Sequence, residues 1–250
     1  MIKGFDTSRH EDVTDWGAVK AAGYTWGSTR ATVGNYLFDS RFKEYWKGMK
    51  QAGIHRIAYH VFDPGVSPEK QIAFFLQAMA DDPGEGPFCL DNELSRCLNT
   101  GQEFSKEHIT PHVEGCFNLM DAGALKVGLK ESINYSNYNF MKYLCTPTKV
   151  IVRHKLWVAN YTRYYNDLGP LPGKTPFLPP GYSEWLFWQY TEAGCIPGIS
   201  GAVDLNVFEG TQDELAALFT QTALPPVLPT HEEEHDRLRR GHPDLFPEYT

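Results

Sequence analysis

The sequence predicts an α/β chain folded as an irregular, single-domain, TIM-like β/α barrel with eight strands and fewer than eight full helices. Three observations carry this prediction. Short apolar runs alternate with helix-like stretches along most of the chain, the pattern of βα units wound around a parallel sheet. There are eight such runs, and each finishes on or near a polar or ionisable residue. At 250 residues the chain also suits one barrel, a fold that commonly takes about 200 to 250 residues.

The strands are expected at 2–6 (IKGFD), 24–31, 55–62, 87–93, 131–136, 155–161, 185–190 and 202–206. Asp12 or Thr14 is placed to cap a first helix ending before Gly23, and the stretch FKEYWKGMKQA ends at Gly53, where glycine takes a left-handed C-terminal conformation at little cost. Ser67 and Pro68 open a third helix as N-cap and first-turn proline. A helix over Ser105 to Asp121 is expected to be split by Pro111. Thr211 and Glu214 form a capping box before the last helix of the barrel. After the fifth strand, Pro/Gly-rich loops replace helices, which is why the barrel is expected to be irregular. Residues 1–224 are assigned to the barrel, and 225–250 to a proline-rich hinge with a charged tail.

With 42% hydrophobic and 14% aromatic residues, the chain has material for a sizeable core. Its net charge is -8, and without the last 26 residues it is still -5, so the acidity belongs to the barrel itself. No Lys/Arg-rich stripe is present, which argues against nucleic acid as a partner, because phosphate backbones need clustered cations. Five cysteines form no close pair, and reduced packing thiols are expected. The N-terminus lacks a cationic start followed by an apolar core, and no apolar run of about 18 residues occurs. Cytoplasmic synthesis without a signal peptide, no membrane insertion and a monomer are therefore expected.

The chemistry concentrates in FCLDNEL, residues 88–94. Strand side chains alternate faces, so Asp91 and Glu93 enter one space, their α-carbons roughly 6 to 7 Å apart. An arbitrary D-x-E triplet is most often a loop cap with a surface ion-pair partner. Here the acids end a predicted barrel strand, where reacting groups sit in such folds. Asp6 ends the first strand, and Asp204 lies on the eighth, so one rim collects four acids. Two buried carboxyls side by side tend to keep one proton between them, and one protonated with one ionised carboxyl is the equipment for cleaving a glycosidic bond.

The ordered fragments GFDTS, Asp15-Trp16, TRATVG, AGIHRIAYHVF, CLDNE, NYSNYNF, WVANY, WQYT and VDLNVF resemble the glycoside hydrolase family 25 lysozymes, the Chalaropsis-type N-acetylmuramidases of bacteria, fungi and phage endolysins. The resemblance runs from residue 4 to about 219. It implies an irregular β/α barrel that cleaves the β-1,4 bond between N-acetylmuramic acid and N-acetylglucosamine in peptidoglycan, the expected partner, without a cofactor or metal. It puts the general acid at Glu93, with Asp91 as an ionised supporting carboxylate and Asp6 and Asp204 lining the same groove. Arg30 falls where members often carry Lys, and Tyr36 and Tyr135 match tyrosines near the bound sugar. Tyr59, His60, Trp157, Asn160, Trp188 and Gln189 complete the expected substrate-binding set. The text RHED replaces a family Gly, and YHVF replaces a YHF triplet, so the rim near 9–12 and 62–64 departs from the pattern. A covalent route and a substrate-assisted one remain open, and either retains anomeric configuration. A chitinase-like hydrolase of N-acetylglucosamine polymers and a catalytically silent glycan-binding barrel are the competing readings.

Other motifs read as bland. His231-Glu-Glu-Glu-His235 matches a zinc pattern, but it lies after a proline hinge among charges. Gly169 to Thr175 is one residue short of a phosphate loop and is stiffened by prolines. His10 and His154 are expected to be structural or surface residues. A lone His60 would be so too, but for its strand-end position.

Overall fold

The computed structural model describes residues 1–161 and 173–220. The hinge and tail, with the HEEEH motif, and most of the phosphate-loop-like stretch lie outside the described residues.

Eight strands form the barrel wall: β1 Ile2–Thr7, β2 Trp26–Val33, β3 His55–Val61, β4 Cys89–Asn92, β5 Ile133–Asn137, β6 Leu156–Ala159, β7 Phe187–Gly194 and β8 Val203–Phe208. Neighbours pair in chain order from β2 through β7, β8 follows β7, and β1 closes the ring by pairing with both β8 and β2. Strands β1 to β7 run parallel, whereas β8 is antiparallel to both of its neighbours. This differs from a wholly parallel barrel and has a local cause. The β7–β8 connection is too short for the crossover of a dozen or more residues that parallel strands need. It carries instead a two-residue strand, Ile199–Ser200, which pairs with Asp12–Val13.

Alternation sorts each strand into two cores. Inside the barrel, Trp26, Ile57, Cys89, Ile133, Trp157, Phe187 and Phe208 pack together below the rim. Gly4 is obligatory there, since a Cβ would meet the Trp26 ring at 2.1 Å. Outside, Phe5, Leu90, Leu156, Val158, Trp188 and Leu205 face the helices. The helices before β5 are α1 Trp16–Ala21, α2 Phe42–Gln51, α3 Pro68–Ala78 and α4 Lys106–Lys126, and after β5 the described residues hold only short ones: a π-helical turn Phe140–Leu144, α5 Lys149–Val152 and the last helix, α6 Gln212–Leu218. Asp15, rather than Asp12 or Thr14, caps α1 by accepting from the Ala18 N–H at 3.0 Å. Pro111 does not split α4. It sits in the second turn, where it removes a single hydrogen bond, and the buried stripe Ile109, Val113, Cys116, Phe117 and Met120 continues across it. The Thr211–Glu214 capping box on α6 is formed.

Candidate active site

The inward positions at the rim end of the strands converge on one cavity of about 270 Å³. Its floor and walls are Asp6 of β1, Arg30 of β2, Tyr59 and Val61 of β3, Cys89 and Asp91 of β4, Tyr135 of β5, Trp157 of β6, Gln189 of β7 and Asp204 of β8. Glu93, one step past the end of β4, stands exposed at the mouth, and the β1–α1 loop adds Ser8, His10 and Glu11. Because β8 runs backwards, Asp204 reaches this rim from near the start of its strand, in register with Asp6.

The floor is a directed hydrogen-bond network. Tyr135 and Tyr161 donate their hydroxyl protons to Gln189 Oε1 at 2.6 and 2.7 Å. Those bonds fix the amide so that Gln189 Nε2 donates to Asp6 Oδ2 at 2.8 Å, and Asn206 Nδ2 donates to the same oxygen at 2.7 Å. Asn206 is itself oriented by the Trp157 indole N–H, which donates to its Oδ1 at 2.8 Å. Burial raises the pKa of Asp6, while the donors Asn206, Gln189 and Asp204 lower it. Asp204 is pushed up to about 9 by burial, by the charge of Asp6 and by its hydrogen bond to Asp6. One proton therefore stays on Asp204 near neutrality, and Asp6 is the ionised member.

On β4 the division of charge is different. Asp91 is 9% exposed, and its Oδ1 is buried without a hydrogen-bond partner. Burial, and then the charges of Glu93 and Asp6, push its pKa well up against a smaller pull from Arg30. Glu93 is also raised, first by the crowding of protein around its carboxyl, and Asn137 counters this by donating to Oε1 at 3.0 Å. In the protein alone, burial thus works against a charge on either carboxyl of this pair. Arg30 is held by Asp39, Nε to Oδ2 at 2.8 Å, and leaves Nη2 buried and unpaired beside the cavity.

A family model for the glycosyl hydrolases family 25 matches residues 5–199, most of the barrel. The chain belongs to family 25. Among curated relatives, lysozyme M1 of Streptomyces globisporus is 29% identical over 234 residues, covering 89% of this chain and 72% of the relative. The Escherichia coli K12 protein YegX is 30% identical over 221 residues, with 86% and 72% covered. Among solved structures, the bacterial lysozyme from Streptomyces coelicolor superposes with a TM-score of 0.73 at 26% identity, covering 89% of this chain and 98% of that one.

Within this family 25 barrel, Asp6, Asp91, Glu93 and Asp204 meet in one cavity with Arg30, Tyr59, Tyr135, Trp157 and Gln189. Four other expected substrate-binding residues do not line it. His60 is fully buried on the outer face of β3, bonded to Thr32 Oγ1 at 2.7 Å and Gln71 Oε1 at 3.1 Å, and burial lowers its pKa to about 4. Trp188 is fully buried on the outer face of β7, its indole N–H donating to the Asn160 carbonyl. Asn160 turns its Oδ1 to the Phe177 N–H at 2.9 Å. Tyr36 donates to the buried Asp63 at 2.7 Å, away from the cavity. Ser8, Glu11, Tyr161 and Asn206 are site residues that the sequence reading did not name, and His10, read as bland, also lines the cavity. Two of the unnamed residues carried a signal: Tyr161 is two pairs of alternating positions beyond Trp157, and Asn206 is two beyond Asp204.

Among the described residues, no group of three or more His, Cys, Asp or Glu is placed to hold a metal ion, and no helix is long and apolar enough to cross a membrane.

Proposed function

We propose that this family 25 glycoside hydrolase is a muramidase that cleaves the β-1,4 bond between N-acetylmuramic acid and N-acetylglucosamine in peptidoglycan, acting on the bacterial cell wall. Glu93 is the general acid, Asp91 the supporting carboxyl, and Asp6 and Asp204 set the field of the groove. One observation carries the assignment: Asp91 and Glu93 project from one strand into one cavity, one buried with an unbonded oxygen and the other at the open mouth.

The pair titrates as a unit. A sugar ring seated over the mouth strips water from Glu93 and favours its protonated form, while positive charge growing at the anomeric carbon favours the ionised form of Asp91. Substrate thus moves the shared proton to the atom that must deliver it to the leaving oxygen. With either Asp91 or the substrate's own acetamido group acting opposite Glu93, double displacement retains anomeric configuration. The catalytic unit is residues 1–224, with 225–250 as an appendage.

The test is digestion of purified peptidoglycan, borohydride reduction and mass spectrometry. New N-acetylmuramic acid reducing ends support the reading; N-acetylglucosamine ends, or no cleavage, overturn it. Proton NMR of the first product formed reads the anomer, and initial α-anomer would rule out retention.

A further inference from the structure

The cavity of about 270 Å³ lies below the roughly 300–1,000 Å³ range of pockets that enclose a whole drug-sized ligand. It accommodates about one sugar unit, yet the bond to be broken has sugars on both sides. The remainder of the strand must lie on the rim, and the sector beyond β5 and β6 exposes a run of aromatic rings there. Phe177 is 62% exposed, and its ring packs against Tyr138 with centroids 4.7 Å apart. Lys142 holds its ammonium over the Tyr138 ring at 5.2 Å and over the Tyr143 ring at 5.0 Å, and Tyr143 is 60% exposed.

This ribbon is continuous with the cavity at two points. Tyr138 directly follows Asn137, which donates to Glu93. The Phe177 N–H donates to Asn160, the neighbour of Tyr161, whose hydroxyl ends in the Gln189 network. Aromatic side chains left this exposed are costly to keep in water, and apolar faces of sugar rings stack on aromatic faces. The ammonium of Lys142 at the far end suits a strand that carries carboxylates, as peptide-substituted muramic acid does.

We propose that Phe177, Tyr138 and Lys142 form a docking track for the glycan strand beyond the cleaved bond, on the side of the groove bounded by β5 and β6, and that this track sets a preference for long, peptide-bearing strands over short oligosaccharides. The proposal rests on the peptidoglycan reading above. It adds residues outside the reacting cavity and a substrate-length dependence.

The test compares wild type with Phe177→Ala and Phe177→Ala/Tyr138→Ala on two substrates, purified peptidoglycan strands and a short muramic-acid-containing tetrasaccharide. Melting curves establish that the variants fold. The expected result is a fall of about tenfold in kcat/KM on strands, carried by KM, with tetrasaccharide cleavage within about twofold of wild type. Equal rates on strands, or equal losses on both substrates, would overturn the track. Strand binding is measured separately by pull-down in a Glu93→Gln background. There, Phe177→Ala must weaken retention on insoluble peptidoglycan, and unchanged retention overturns the proposal whatever the catalytic data show. Failure of the muramidase reading would appear differently, as absence of muramic acid reducing ends with the wild-type chain.

Discussion

Asp204 keeps its proton and donates it in a hydrogen bond to Asp6 across the seam where β8 closes the barrel against β1, and the two residues stand in register there. A carboxyl whose pKa is raised on folding binds its proton more tightly in the native state. Its unfolded counterpart near 3.9 is already ionised at higher pH, so the native state loses stability as pH climbs from about 4 towards about 9. Asp204→Asn keeps a donor for Asp6 and removes the titration. The variant is expected to melt higher than wild type at pH 8, by about 2–4 °C for each kcal/mol gained, with the advantage vanishing below pH 4. Melting temperature against pH for both proteins measures it; a constant offset would show that Asp204 does not hold the proton. Activity should change mainly in its pH dependence.

Glu93 stands exposed at the mouth, so its substitution removes chemistry without opening the core. Glu93→Gln is expected to leave the melting temperature unchanged, within about 0.5 kcal/mol of stability. Release of reducing ends should fall by about 10²–10⁴-fold, the contribution of a positioned general acid. Wild-type-like turbidity clearing of cell walls by the variant would remove Glu93 from its role.

His60 offers the contrasting case. It bridges Thr32 on β2 and Gln71 on α3, and Gln71 also donates to the Asp63 and Val66 carbonyls. Its place is between sheet and helix, on the face opposite the cavity. His60→Gln should therefore cost about 1–2 kcal/mol of stability through the disturbed buried bonds, while kcat/KM per folded molecule stays within about twofold. A selective loss of activity in a variant that melts like wild type would return His60 to the groove.

The four acids, the eight strands and the rim were legible from sequence because strand position and alternation are local properties. The same alternation rule rejects part of the expected binding set. Tyr59 and His60 are adjacent, as are Trp188 and Gln189, and neighbours in a strand cannot both face inward; likewise Trp157 facing inward sends Asn160 outward and brings Tyr161 in. The reversed β8 was also within reach, since the connection after Gly194 leaves no room for a crossover helix. The division of protons was not legible. It depends on how deeply each carboxyl lies and on which donors meet it, and Asn206, Gln189 and Asn137 come from three different strands. Whether Asp91 or Glu93 is more buried is decided by where β4 ends relative to the rim, a single-residue boundary that periodicity does not fix.

Gln189 is the switch point of the floor, because its oxygen takes two tyrosine protons and its nitrogen serves Asp6. Gln189→Glu preserves shape and both tyrosine bonds but loses the donor to Asp6 unless the new carboxyl is protonated. Buried beside the ionised Asp6, that carboxyl would have a raised pKa, so the variant loses stability as pH rises through the neutral range and recovers it in acid. A deficit of about 1–3 kcal/mol is expected at pH 8, the cost of leaving a buried charge without its donor, narrowing as pH falls below the ordinary carboxyl range. Gln189→Leu, which abandons the tyrosine hydroxyls as well, should be destabilised at every pH. Urea unfolding of the two variants at pH 4 and pH 8 separates the cases: equal deficits for Gln189→Glu at both values would mean that its amide nitrogen contributes nothing to the ionised state of Asp6.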